Sequence, residues 1–243
     1  MITGASAGLG AEYARQLSMS GWDLILVARD RGRLEEMAAW ARGVGVEAEV
    51  LPADLSVRAD VGKVAKRIAD PKRPLDLVVN NAGMGVGRRF LESDLDTQDT
   101  SLEVMVRTPM ALSHAAGRAM VSRGRGAILN VSSIAAKTLS GTYSASKAWI
   151  DTFTHGLAAD LKGTGVTATV VRPGLVRTEF HDRAGLDFSD KPSFVWLTPE
   201  RVVKSSLRAV RRGRVSVTPS LRYKCAIGVA SLIPRGLKRR LSR

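Results

Sequence analysis

Apolar runs alternate with amphipathic stretches along this chain, and that alternation limits the fold more than any other feature. The runs cover residues 22–28, 47–52, 75–79, 127–131, 166–171 and 214–217. Several are nearly continuous in Val, Ile, Leu and Ala, as expected for parallel strands covered on both faces. Between them, apolar residues recur every three or four positions, which predicts helices over 30–42, 56–69, 94–122, 142–162 and 199–211. Strands alternating with helices imply right-handed crossovers and a doubly wound sheet, the α/β class. At 243 residues and 44% hydrophobic content, one such domain with a full core is affordable.

At the front stands Thr3-Gly4-Ala5-Ser6-Ala7-Gly8-Leu9-Gly10, preceded only by Met1 and Ile2. Three glycines let the backbone turn sharply and approach a ligand closely. Leu9, Tyr13, Leu17 and Gly21 then follow at helical spacing. This is strand, glycine loop, helix, and a helix N-terminus attracts phosphate. An ordinary tight turn has the same pattern. A central strand needs about five or six residues, so the short start is read as a truncation, and added apolar residues are expected to stabilise the chain.

Cys225 is the only cysteine, which excludes an internal disulfide and a cysteine-based metal site. His114 and His155 lack metal-ligand spacing, so no metal is expected. A reducing, cytoplasmic setting fits. No apolar run reaches membrane-spanning length. The net charge of +14 is concentrated at the end: residues 201–243 hold 13 Lys/Arg and no Asp or Glu. Stacking aromatics beyond Tyr223 are missing there, which argues against nucleic acid. A solvated helix and contact with an acidic surface remain as readings.

Tyr143 and Lys147 are four apart, so a helix places them on one face. An ammonium beside a phenol favours the phenolate and lowers the phenol pKa. Ser133 lies ten residues earlier, just past an apolar run. A phenol that moves a proton, a hydroxyl that holds an oxygen and an ammonium that tunes the phenol suit hydride transfer to or from a carbonyl.

Together the motifs resemble the short-chain dehydrogenase/reductase family. The resemblance rests on the glycine loop, Asn80-Asn81-Ala82-Gly83, Asn130-Val131-Ser132-Ser133, Tyr143-Ser144-Ala145-Ser146-Lys147 and Pro173-Gly174, in the family's order over residues 1 to about 218. It implies a Rossmann-like, seven-stranded parallel sheet with helices on both faces. It puts Ser133, Tyr143 and Lys147 in the catalytic places. It implies a nicotinamide cofactor held by Thr3, Gly4, Ser6, Gly8, Leu9, Gly10, Arg29, Asp54, Leu55, Asn81, Ala82, Gly83, Tyr143, Lys147, Pro173, Gly174, Val176 and Thr178. Asp54 matches the acid that meets the adenine, and Thr178 the hydroxyl that holds the carboxamide. As alternatives, Asp54 and Thr178 would be helix caps and Asn81 a turn residue.

Ala28 stands where NAD-selective relatives carry an acid, and Arg29 follows, with Arg31 and Arg33 nearby. A guanidinium suits a 2′-phosphate, so NADP is expected rather than NAD, with Asp30 as a helix cap. Two features depart from the family pattern. The Ser133–Tyr143 interval is short, with Gly141 giving it room. Met105 stands where relatives place an asparagine whose carbonyl fixes a relay water, which predicts weakened turnover. Pro109 is expected to kink the helix nearby.

Phe180, Phe188, Phe194 and Trp196 gather between Thr178 and Pro199. They form either an apolar lid over a lipid-like carbonyl or ordinary packing of short helices. His181 reads as a lone surface histidine, and Trp22, Trp40 and Trp149 as packing residues. Residues 1–218 are taken as the catalytic domain and 219–243 as a basic amphipathic extension. That extension would dock on a partner subunit of a homo-oligomer or lie on anionic membrane. The resulting reading is an NADP(H)-dependent carbonyl/alcohol oxidoreductase acting on a small molecule. Its rivals are a weakly catalytic NADP-binding sensor or scaffold and a membrane-associated interaction protein.

Overall fold

Strand β2 (Leu24–Ala28) shows how the sheet is built: every residue is buried, with Leu24, Leu26 and Ala28 in the core on one face and Ile25 and Val27 in the core on the other. In the computed structural model, which describes residues 1–87, 90–139, 141–186, 188 and 190–232, six further strands join it. They are β1 (Ile2–Thr3), β3 (Ala48–Pro52), β4 (Leu77–Asn80), β5 (Gly126–Val131), β6 (Val166–Val171) and β7 (Ser216–Val217). All pairings are parallel, in the order β3-β2-β1-β4-β5-β6-β7. The expected Rossmann-like, seven-stranded sheet is therefore the fold. Short as it is, β1 is central, with Ile2 opposite both Leu26 and Val79.

Helices α1 (Gly8–Ser18) and α2 (Arg31–Gly43) lie on one face of the sheet, α3 (Arg58–Ile68) on the other. The order of strands reverses between β1 and β4. Such a switch point opens a crevice at the carboxyl ends of the strands.

The helix expected over 94–122 is divided into α4 (Leu95–Leu102), a π-helical turn (Glu103–Arg107) and α5 (Thr108–Val121). Pro109 supplies the reason: it has no N–H to give the Met105 carbonyl four residues back. The turn widens, and the Thr108 N–H pairs with Glu103 five residues back. Thr108 Oγ1 also donates to the Leu55 carbonyl at 2.8 Å. Helix α6 (Gly141–Asp160) follows β5, then α7 (Phe180–Arg183), α8 (Pro199–Arg211) and α9 (Leu221–Leu232). No helix among the described residues is long and apolar enough to cross a membrane.

One packing assignment needs correction. Trp22 is 42% exposed, because it lies in the turn between α1 and β2, where no neighbouring layer covers it. Helix α8 packs instead through Val202, Val203 and Leu207, and a hydrogen bond of 2.6 Å joins Tyr13 to its Ser206 inside that core. Removing the hydroxyl leaves buried Ser206 with its bond to the Val203 carbonyl alone. Tyr13→Phe is expected to lose about 1 kcal/mol in urea unfolding, with the fold retained.

Candidate active site

At the carboxyl end of β1 the backbone turns through Gly4 (φ +66°) and Gly8 (φ +53°). A Cβ on Gly10 would stand 1.9 Å from the Gly4 carbonyl oxygen, so this loop closes only without a side chain there. Thr3 Oγ1 accepts from the N–H groups of Asn81 (2.9 Å) and Ala82 (3.0 Å). Asn81 Nδ2 donates to the Thr3 carbonyl at 2.9 Å. Asn81 and Ala82 thus splice the loop after β4 to the glycine loop.

Helix α1 starts without a side-chain cap, with Ala7 in the N-cap place and no acid in the first turn. Asp30, Asp94 and Thr198 cap α2, α4 and α8. The N–H groups of Gly8, Leu9 and Gly10 precede the first helical bond, from Ala11 to Ala7. An uncapped N-terminus above a side-chain-free loop suits a pyrophosphate, so these residues fit a nicotinamide dinucleotide. Thr178 closes over the loop, 3.3 Å from where a Gly8 Cβ would be. Its Oγ1 also accepts from the Phe180 N–H at 3.4 Å, at the start of α7.

Further along the crevice, Asp54 Oδ1 accepts from the Ser56 N–H (2.9 Å) and hydroxyl (2.7 Å). These bonds, and to a smaller extent the Arg29 charge, hold its carboxyl below the usual range. Arg29 is exposed near it. Arg33 is engaged: its Nη1 meets Glu179 Oε2 at 3.2 Å, and Glu179 also pairs with Arg183. Leu55 and Val176 bury their side chains in the core, while Ser6, Leu9 and Gly174 are half-buried and Gly83 is exposed.

Ser133, Tyr143 and Lys147 converge. Ser133 caps a 3-10 turn (Ile134–Lys137) by accepting from the Ala135 N–H at 3.1 Å, and it hydrogen-bonds the Tyr143 phenol. That tight turn takes up the short interval to Tyr143. Lys147 is buried, donates to the Val131 carbonyl at 3.0 Å and lies 5.7 Å from the Tyr143 ring centroid. Gly83 and Met105 complete the surroundings: a Cβ on Gly83 would be 3.6 Å from Lys147 Nζ and 3.9 Å from Met105 Cγ.

The electrostatics correct the expectation of a lowered phenol. Burial pushes Tyr143 up to about 12, and only the Ser133 hydrogen bond opposes it. Burial brings Lys147 down to about 8. Desolvation is the leading cause of both shifts, because both groups leave water.

Beneath this cluster lies Asp151, one helical turn after Lys147. Its carboxylate is 5% exposed and meets Arg172 Nε at 2.6 Å and Lys137 Nζ at 3.3 Å. Arg172 Nη2 reaches His155 Nε2 at 3.0 Å. Lys137 ends the Ser133 turn, and Arg172 precedes Pro173-Gly174. One buried carboxylate therefore joins α6 to both neighbouring segments.

The aromatic segment covers this end of the crevice. Phe180 lies 5.9 Å from Tyr143, centroid to centroid. His181 is not a surface residue: Phe180, Phe188 and Trp196 meet it edge-on at 5.6, 5.2 and 5.3 Å. Ala184 seals the segment against the loop after β4. A Cβ on Gly85 would be 2.4 Å from the Ala184 Cβ, and one on Gly87 would be 1.9 Å from its carbonyl oxygen.

A sequence model described as short chain dehydrogenase matches residues 1–187. The chain belongs to the short-chain dehydrogenase family. A short-chain dehydrogenase from Sphingobium yanoikuyae in complex with NADPH is similar in structure: TM-score 0.86 and 31% identity, over 96% of this chain and 95% of that one. A bulky-bulky ketone specific alcohol dehydrogenase from Comamonas testosteroni gives TM-score 0.82 and 26% identity, over 96% and 94%. Among curated relatives, sulfoacetaldehyde reductase 2 of Chromohalobacter salexigens is 35% identical over 187 residues, 74% of this chain and 73% of its own. Family membership makes this an oxidoreductase fold for a nicotinamide cofactor.

Sequence reasoning passed over Gly85, Gly87, Asp151, Arg172, Glu179 and Tyr223. The Gly-x-Gly spacing at 85 and 87 and the four-residue step from Lys147 to Asp151 were available signals. The i,i+4 step from Glu179 to Arg183 was also available, while Tyr223 had no local signal, since its partners are distant in sequence. Asp151→Ala is expected to cost about 3 kcal/mol in urea unfolding, because it leaves the part-buried Arg172 without its carboxylate. Lys137→Ala, at a partly exposed end of the cluster, should cost under about 1 kcal/mol.

Proposed function

We propose that the protein is an NADP(H)-dependent oxidoreductase that interconverts an apolar ketone and its secondary alcohol. The carrying observation is the convergence of Ser133, Tyr143 and Lys147 under an aromatic cover, at the carboxyl end of a sheet whose glycine loop fits a dinucleotide. When bound, the nicotinamide cofactor supplies or accepts the hydride.

The chain's own groups handle the oxygen and the proton. Ser133 holds the carbonyl oxygen by hydrogen bond. Tyr143, protonated up to about pH 12, gives its proton to that oxygen in the reducing direction. Lys147, cationic below about pH 8, offsets the charge that builds on the phenol oxygen. The carbonyl of Met105, denied a Pro109 donor, is available to hold a water that reconnects Lys147 to solvent. The aromatic cover excludes bulk water and favours an apolar substrate. The bulky ketones named for the Comamonas enzyme support that preference. Arg29, exposed beside Asp54 at the adenine end, is the group for a 2′-phosphate.

Coupled absorbance assays of reduced cofactor with a ketone and alcohol panel test this reading. Tyr143→Phe is expected to lower turnover at least about 10²-fold, as for removal of a general acid. NADPH should exceed NADH by at least about tenfold in kcat/KM, and Arg29→Ala should erase most of that margin, the worth of one charge-assisted contact. Faster turnover with NADH overturns the cofactor assignment.

The pH dependence has a defined sign. Oxidation needs the phenolate, so its rate should rise with pH and still be rising at about pH 9, since the phenol titrates only at about 12. Reduction needs the phenol and the ammonium, so it should be flat at neutral pH and fall above about pH 8 as Lys147 loses its proton.

A further inference from the structure

Tyr223 lies on α9, outside the residues that the family model matches. Its ring nevertheless packs on the segment that follows β6: a Cβ on Gly174 would stand 2.0 Å from Tyr223 Cε2. Its hydroxyl accepts from the Leu175 N–H at 3.2 Å and donates to the Val195 carbonyl at 2.7 Å. Leu175 belongs to the segment beside the candidate nicotinamide place. Val195 belongs to the aromatic cover.

These two segments already share a short parallel bridge. The Leu197 N–H donates to the Leu175 carbonyl at 2.8 Å, the Arg177 N–H donates to the Leu197 carbonyl at 3.1 Å, and Val176 stands opposite Leu197. In a parallel ladder the next rung would run from the Leu175 N–H to the Val195 carbonyl. The Tyr223 hydroxyl occupies that rung, taking the amide and giving to the carbonyl. A hydroxyl between donor and acceptor holds the strands further apart than a direct bond does. Arg222, the preceding residue on α9, donates to the Phe194 carbonyl at 3.2 Å and takes no part in this rung.

We propose that Tyr223 is a positioning residue that sets the width of the substrate cleft, by acting as a side-chain spacer between the 173–178 segment and the aromatic cover. This rests on the ketone-reductase reading above. Without the hydroxyl, either the ladder closes directly and narrows the cleft, or both backbone groups turn to water and the cover loosens. Bulky ketones feel either change first, because they need the full width.

Tyr223→Phe keeps the ring on Gly174 and removes only the spacer. Amide exchange of the full chain, followed by NMR or mass spectrometry, should show altered protection at Leu175, while the core strands β2 and β5 stay as in wild type. In kinetics with NADPH, KM for benzophenone should change about tenfold, with kcat less affected and acetone nearly unaffected. Arg222→Ala serves as the control on the same helix and should leave Leu175 exchange and the KM ratio unchanged. Unaltered Leu175 exchange in Tyr223→Phe overturns the proposal, as does an equal effect of Arg222→Ala. If the wild type reduces neither ketone, the ketone-reductase reading falls, and the Leu175 readout still decides the spacer.

Discussion

Asp151 is a carboxylate taken out of water, and the candidate site is arranged around that fact. An isolated buried carboxylate is costly by several kcal/mol, so Arg172 and Lys137 must stay close to it. Each partner belongs to a different segment. Lys137 closes the turn that Ser133 opens, and Arg172 is the last residue before Pro173-Gly174. Asp151 itself shares a helical face with Lys147. The charge therefore holds hydroxyl, phenol, ammonium and cofactor-side segment in one frame, although none of these groups touches it directly. The Ser132 hydroxyl adds a second tie, donating to the Lys147 carbonyl at 2.7 Å.

A comparable division of labour holds at the other end of the crevice. Asn81 and Thr178 look from the sequence like groups that meet a cofactor. In the structure Asn81 spends its amide on the carbonyls of Thr3 and Gly4, and its N–H on Thr3 Oγ1. Its first effect is to fix the glycine loop. A loop with positive φ at Gly4 and Gly8 has little stiffness of its own, so the splice from β4 supplies it. The open N-terminus of α1 is then presented by a rigid backbone, which is how such a site limits the entropy lost on binding.

Local chemistry explains which parts were legible in the sequence. The strands follow from continuous apolar runs, and the triad from helical spacing plus the strand before Ser133, so neither needed tertiary information. The count of seven parallel strands came through the family motifs, while their order is given by the structure. Limits appear where a property depends on what surrounds a residue. The phenol of Tyr143 was read from its neighbour four residues on, yet burial decides its pKa. His181 was read as isolated, yet the rings of Phe180, Phe188 and Trp196 meet it edge-on. The break at Glu103–Arg107 was signalled by Pro109, but its π form depends on Thr108 reaching Leu55 in another loop. Tyr223 is the extreme case, with partners 28 and 48 residues away and nothing nearby to mark it.

If Tyr143 and Lys147 act as proposed, their two shifted pKa values favour one direction of reaction. A phenol that keeps its proton to about pH 12 is a ready donor and a reluctant acceptor. A lysine that titrates near 8 is cationic at neutral pH but has little margin, since the same burial that isolates it from water also disfavours its charge. Reduction uses both groups as they stand. Oxidation requires Tyr143 to give up its proton first, and near neutral pH only a small fraction does so. A charge brought close to Lys147 and Tyr143 would change that balance. On the proposed reading, these groups at rest are poised for reduction rather than oxidation.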